Sequence, residues 1–250
     1  MYPILACLGP YCLRTTGVFT GSAAFCAFLY MRACRRRAGL SLERLWELTL
    51  RLAAACFVGA AAADALFFGG LRALLRGQAS QNGLFYGSFW ASVGTAALFC
   101  RARGLDPAPL CDVLAEAATL GLAIKRWGCL LNGCCRGVPA RAPWALAFTD
   151  PASRVPRALL GVPLHPVQAY EALLCLALFA AGRTVLRERL ARPGASFAYH
   201  AAGYALIRLA LEPFRAATPG LLDAGLGTAQ WLSLASGAGA LLLSRRWRRA

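Results

Sequence analysis

Residues Lys125 to Gly137 read KRWGCLLNGCCRG. They close an apolar run over residues 109–131, which takes in Lys125 and Arg126 near its end and passes into adjacent cysteines set among glycines. About 20 predominantly apolar residues suffice for a helix to cross the hydrocarbon of a bilayer. The run therefore reads as a membrane-spanning helix, with two cations and two thiols at its edge.

The same kind of window recurs along the chain, roughly at 16–32, 48–68, 84–100, 109–131, 166–182, 196–214 and 227–244. Composition agrees: 58% of the 250 residues are hydrophobic and only 15% charged, against about 25% charged in soluble domains. The expected fold is an all-α polytopic membrane bundle of about seven transmembrane helices. It forms a single membrane domain over residues 1–250, in which 132–165 is the one long non-helical segment, a head region between the fourth and fifth spans.

A formal net charge of +16 would point to nucleic acid in a soluble protein, but here the arginines track the loops. RACRRRAGLSLER follows the first window, RARG the third, RTVLRERLAR the fifth and RRWRR the seventh. Alternate arginine-rich loops mark cytoplasmic faces. The orientation favoured is N-terminus outside and C-terminus cytoplasmic, which puts the 132–165 segment on the external side, although Arg72, Arg76, Arg136, Arg141, Arg154, Arg157 and Arg215 lie on that side as well. The first window, preceded by Arg14 and followed by arginines without a small-residue cleavage pattern, reads as a retained anchor. No internal repeat or nucleotide-binding glycine loop is evident, and no cofactor is implied.

Ionisable groups within spans are costly and tend to be functional. Lys125 and Arg126 close the fourth window, His165, Tyr170 and Glu171 open the fifth in HPVQAYE, and Arg208 and Glu212 stand late in the sixth in RLALEPFR. All three groups fall near one membrane interface. Arg208 and Glu212, at i and i+4, share a helix face and can pair. Two arginines from different helices near a membrane interface, without a matching excess of carboxylates, point to an anionic ligand. Arginine suits phosphate, because its planar fork bonds bidentately and stays charged. The phosphate available at that depth is a phospholipid headgroup, and Gly128, Gly133 and Gly137 would let the backbone turn closely around it.

Together, KRWGCLLNGCCRG, HPVQAYE, RLALEPFR and the final-window GTAQWLS resemble the prolipoprotein diacylglyceryl transferase family, in matching order and spacing over essentially the whole chain. The resemblance implies a seven-span enzyme of the bacterial cytoplasmic (inner) membrane that moves diacylglycerol from phosphatidylglycerol to a lipoprotein precursor's cysteine. Carried over by position, it implies that Arg126 and Arg208 engage the headgroup. Glu212 matches the family's late glutamate, Gly128, Asn132, Gly133 and Gly137 its signature frame, and His165, Gln168, Tyr170 and Glu171 its fifth-span motif. The implied partners are the membrane, phosphatidylglycerol and a lipoprotein precursor, with no nucleic acid.

The chain departs from that pattern at several places. Cys129 stands for an asparagine of the signature and Cys134 for a glutamate. Tyr86-Gly87-Ser88 or Asn82-Gly83 takes the place of a His-Gly-Gly turn, and Thr16 that of a tyrosine. His165 or Tyr86 is the available candidate for a general base. Cys134 and Cys135 have three open readings: packing in a glycine-rich turn, an oxidised pair on the outer face, or a nucleophile that carries the lipid. A zinc site is disfavoured, since no C-x2-C pair is present and the nearest histidine is His165. The rival function is a non-catalytic phospholipid-binding or assembly protein that keeps the transferase fold.

Overall fold

In a computed structural model, residues 2–9, 11–67, 81–215 and 228–247 are described. They form helices α1 (Thr15–Cys34), α2 (Leu42–Phe67), α3 (Gln81–Arg103), α4 (Pro107–Asn132), α5 (Val167–Arg183), α6 (Ala195–Leu211) and α7 (Thr228–Trp247). Each overlaps one of the apolar windows, so the fold is all-α. Of these, α1, residues 42–63 of α2, and α4 are long and apolar enough to cross a membrane by length and composition.

α4 is the central helix and packs on α1, α5 and α6, while α2 packs on α3 and α6 on α7. Both of its ends are capped locally. Asp106 caps the first turn by accepting from the Ala108 N–H at 2.9 Å, with Pro107 at the first helical position, where a missing N–H costs nothing. Gly133 ends the helix at φ +75°, a left-handed conformation open to glycine.

Two small antiparallel ribbons flank the bundle. β1 (Ile4–Leu8) pairs with β2 (Tyr11–Arg14), and Cys7 faces Cys12 across the ribbon in a disulfide. β3 (Leu146–Ala147) pairs with β4 (Pro163–Leu164) over a core of Leu130, Phe148, Val155 and Leu164. This segment is tied to the end of α6. Val138 N–H donates to the Phe214 carbonyl at 3.0 Å, and Gly137 bridges to Arg215 just beyond the 3₁₀ turn Glu212–Phe214.

At the opposite end of the bundle, Asp112 and Glu116 act as tertiary fasteners. Asp112 on α4 accepts from the N–H groups of Gly194 at 2.8 Å and Phe197 at 2.6 Å, which closes the open N-terminus of α6. Glu116, 3% exposed, is gripped by Arg37 at 2.9 and 3.1 Å and also accepts from Tyr30 and Ser196. Both are thereby accounted for as links between helices.

Candidate functional site

The C-terminal end of α4, the first turn of α5 and the end of α6 meet, because consecutive helices run in alternating directions. Glu171 lies at the centre of that junction with no exposed surface. Its carboxylate is 2.7 Å from the Arg126 guanidinium, 3.3 Å from that of Arg215 and 3.9 Å from that of Arg208, and it accepts from the Tyr204 hydroxyl at 2.8 Å. Arg208 also lies 3.6 Å from Glu212. Three guanidinium charges against two carboxylates, 3 − 2, leave a net charge of +1. A buried charge of that kind is unfavourable until an anion joins it. The Nε of Arg126 and that of Arg136 are both buried without a hydrogen-bond partner among the described residues.

The expected anion site therefore gains Arg215 and Tyr204, neither of which was among the candidates. Both carry a signal in the sequence: Tyr204 stands four residues before Arg208 on the same helix, and Arg215 ends the R-x3-E-x2-R pattern. Arg215 is placed by the Gly137 bridge rather than by a helix.

Around this centre, the remaining candidates take distinct positions. Asn132 accepts from Arg14 at 3.4 Å, joining α4 to the residue that precedes α1. Gln168 donates to the Cys134 carbonyl at 2.7 Å, fixing the turn after α4. His165 Nδ1 lies 3.3 Å from the Tyr170 hydroxyl, which also accepts from Trp144 at 2.6 Å, and Phe214 packs edge-on against both rings.

The glycines serve close packing. A Cβ on Gly137 would fall 2.5 Å from the His165 carbonyl, and one on Gly128 would fall 2.5 Å from Phe19 Cβ on α1. Gly133 makes the turn described above. The side chains of Asn82 and Tyr86 lie outside the described residues. Gly87 approaches Gly59 of α2 so closely that a Cβ would stand 2.1 Å from its carbonyl oxygen.

Cys129, Cys134 and Cys135 have their sulfur atoms within 4.8 Å of one another, and none of the three is in a disulfide. Hydrogen bonds from Cys129 and Cys134, helped by Arg126 and Arg215, hold the Cys135 thiol well below its ordinary range. Cys134 is pushed the other way, first by its hydrogen bond with Cys129.

Beside the arginine cluster a cavity of about 400 Å³ opens between the helices, lined by Ala24, Ala118, Leu122, Lys125, Tyr204 and Ala205 among others. Its size falls within the roughly 300–1,000 Å³ usual for ligand sites. Tyr204 is shared between the cavity and the Glu171 centre.

The sequence model of the family described as prolipoprotein diacylglyceryl transferase matches residues 3–245. The chain belongs to this family. A relative named phosphatidylglycerol–prolipoprotein diacylglyceryl transferase from Synechococcus elongatus is 30% identical over 93% of this chain and 82% of its own length. One of the same name from Nitrobacter hamburgensis is 29% identical over 92% of this chain and 83% of its own. A third, from Azospirillum brasilense, is 36% identical over 60% of this chain and 56% of its own. Family membership makes the chain a membrane transferase, in keeping with its apolar helices.

Proposed function

We propose that the chain moves the diacylglyceryl group of phosphatidylglycerol to the cysteine thiol of a lipoprotein precursor. The observation that carries this reading is the buried cluster of Arg126, Arg208 and Arg215 about Glu171, with one more cation than its carboxylates neutralise. A phosphodiester at the membrane surface supplies the missing anion.

In the reaction, the acceptor thiolate attacks the glycerol carbon that bears the phosphate. A C–S bond forms and the C–O bond breaks, with its electron pair leaving on glycerol phosphate. The arginine forks stabilise the charge that develops on the leaving oxygens. Glu171 holds the forks in place before substrate arrives, so little ordering remains at the moment of reaction. The thiol proton goes to a base, for which His165 beside Tyr170 is the candidate and Tyr86 the alternative. A direct attack is favoured over a carrier role for Cys134 or Cys135, because a thioether once formed has no good leaving group. Gln168 and Asn132 hold the turn and the α1 junction that frame the site, and the cavity beside Tyr204 receives an acyl chain.

All seven helices cross the cytoplasmic membrane of a bacterium as one domain, with residues 132–165 and the N-terminus outside and the C-terminus inside. The Cys7–Cys12 disulfide supports this orientation. Its ribbon leads into Arg14, which reaches Asn132 at the same end as the arginine cluster, and disulfides persist on oxidising faces.

A second reading is a phospholipid-binding protein that no longer turns over, favoured by Cys129 and Cys134 at positions where the family carries asparagine and glutamate. Purified protein, phosphatidylglycerol micelles and a peptide carrying the precursor's cysteine distinguish the two. Transfer gives a peptide with the mass of a diacylglyceryl thioether and an equal amount of glycerol phosphate. Saturable binding of phosphatidylglycerol with neither product leaves the second reading standing.

A further inference from the structure

The three cysteines beside the site form a cluster that the transfer reaction does not use. Cys129 lies on the last turn of α4, and the chain reverses at Gly133. Cys135 itself has φ +57°, the one non-glycine residue with positive φ among the described residues. In an L-residue this conformation sets Cβ against the following carbonyl and is disfavoured. Gln168 holds the turn from outside through the Cys134 carbonyl at 2.7 Å. The outcome is three sulfurs within 4.8 Å of one another, those of Cys129 and Cys134 on residues only 5% and 8% exposed, with Cys135 more open.

We infer that Cys129, Cys134 and Cys135 form a trigonal all-sulfur site for monovalent copper. The ligand set decides the metal. It contains three sulfurs and no imidazole or carboxylate; structural zinc almost always takes four ligands, whereas thiolates select soft Cu(I). Metal–sulfur bonds of about 2.3 Å place the sulfurs of a three-coordinate ion about 4 Å apart, so the cluster closes on an ion with small movements. Three thiols release three protons as the ion enters, and the complex carries a charge of −2. Arg126 and Arg215, which already act electrostatically on Cys135, offset part of it while remaining shared with Glu171. Gln168 fixes the ligand turn in the way that outer groups orient metal ligands. Cys135, the least buried of the three, gives the ion its entry.

The full-length protein in detergent is titrated under anaerobic conditions with Cu(I) in the presence of a chromophoric Cu(I) chelator. One copper per chain is expected to remain on the protein, with three sulfur scatterers in its X-ray absorption spectrum. The variant Cys129→Ser/Cys134→Ser/Cys135→Ser loses that copper, and Cys26→Ser/Cys175→Ser keeps it. If the triple variant does not fold, Cys135→Ser alone, at the most open ligand, is expected to weaken retention at least 100-fold. Copper retained equally by the triple or the single variant, no copper retained by the wild type, or zinc held in preference to copper overturns the proposal.

Discussion

The Glu171 carboxylate stands 2.7 Å from the Arg126 guanidinium, wholly shielded from solvent, and two further guanidinium groups lean on the same carboxylate. One carboxylate near the start of α5 thus organises cations from α4, from α6 and from the segment beyond it.

Glu171→Gln keeps the shape and removes the charge, leaving three buried guanidinium groups with Glu212 alone. Removing one partner of a buried ion pair typically costs about 3–5 kcal/mol. Thermal unfolding in detergent is expected to shift down markedly, and phosphatidylglycerol should recover part of the loss, because its phosphate replaces the missing anion. An unchanged midpoint would contradict the central place given to Glu171.

Arg126→Lys and Arg208→Lys each retain charge but lose the fork. Loss of a donor aimed at developing charge costs about 10²–10³-fold in rate, and kcat in the peptide transfer assay is expected to fall on that scale. Arg215→Lys tests the third contact in the same assay and is expected to lower kcat as well. Wild-type rates in all three variants would reduce the cluster to an internal ion-pair network.

Orientation is tested with tags. Reporters at Met1 and near Pro143 are expected to report the external side, and reporters at Arg189 and Ala250 the cytoplasm. After mild reduction, Cys7 and Cys12 should react with a membrane-impermeant maleimide in intact spheroplasts. A cytoplasmic report from Pro143 would separate the site from the face where its substrates lie.

Asp112→Ala removes the acceptor for the N–H groups of Gly194 and Phe197. Loss of a helix cap costs about 0.5–2 kcal/mol. The unfolding midpoint is expected to drop while KM for phosphatidylglycerol stays the same, since Asp112 stands at the opposite end of the bundle. A raised KM would mean that the two ends are coupled.

Gly128→Ala places a Cβ 2.5 Å from Phe19 Cβ and 3.3 Å from the Thr16 backbone. Overpacking of this kind costs about 1–3 kcal/mol. The loss of stability is expected to be partly reversed by Phe19→Gly in the same chain, because the nearest contact is with the Phe19 Cβ, which glycine alone removes. Failure of the second change to help would assign Gly128 to the ligand instead of the α1–α4 contact.

Much of this architecture was legible in the residues taken one segment at a time. Apolar windows and arginine-rich loops are local signals, and they sufficed for an all-α membrane chain, with the charges at the window edges marking Arg126, Arg208, Glu171 and Glu212 as candidates; the cap at Asp106 was seen only in the structure. Local spacing also anticipated the Arg208–Glu212 pair, since i and i+4 share a helix face.

It did not reveal that Glu171 is the principal partner of Arg126, that Arg215 joins them, or that Asp112 and Glu116 fasten the other end. Glu116 is 79 positions from Arg37, and Glu171 is 44 from Arg215. Helical periodicity reports which face of one helix is apolar, whereas those pairings depend on how α4, α5 and α6 lie against one another. The three-sulfur cluster likewise required the left-handed turn at Gly133 and Cys135, a reversal that spacing alone did not disclose. The sequence by itself determined the class of fold and the chemistry of the groups present; only tertiary packing decided which charges share a carboxylate and which thiols meet.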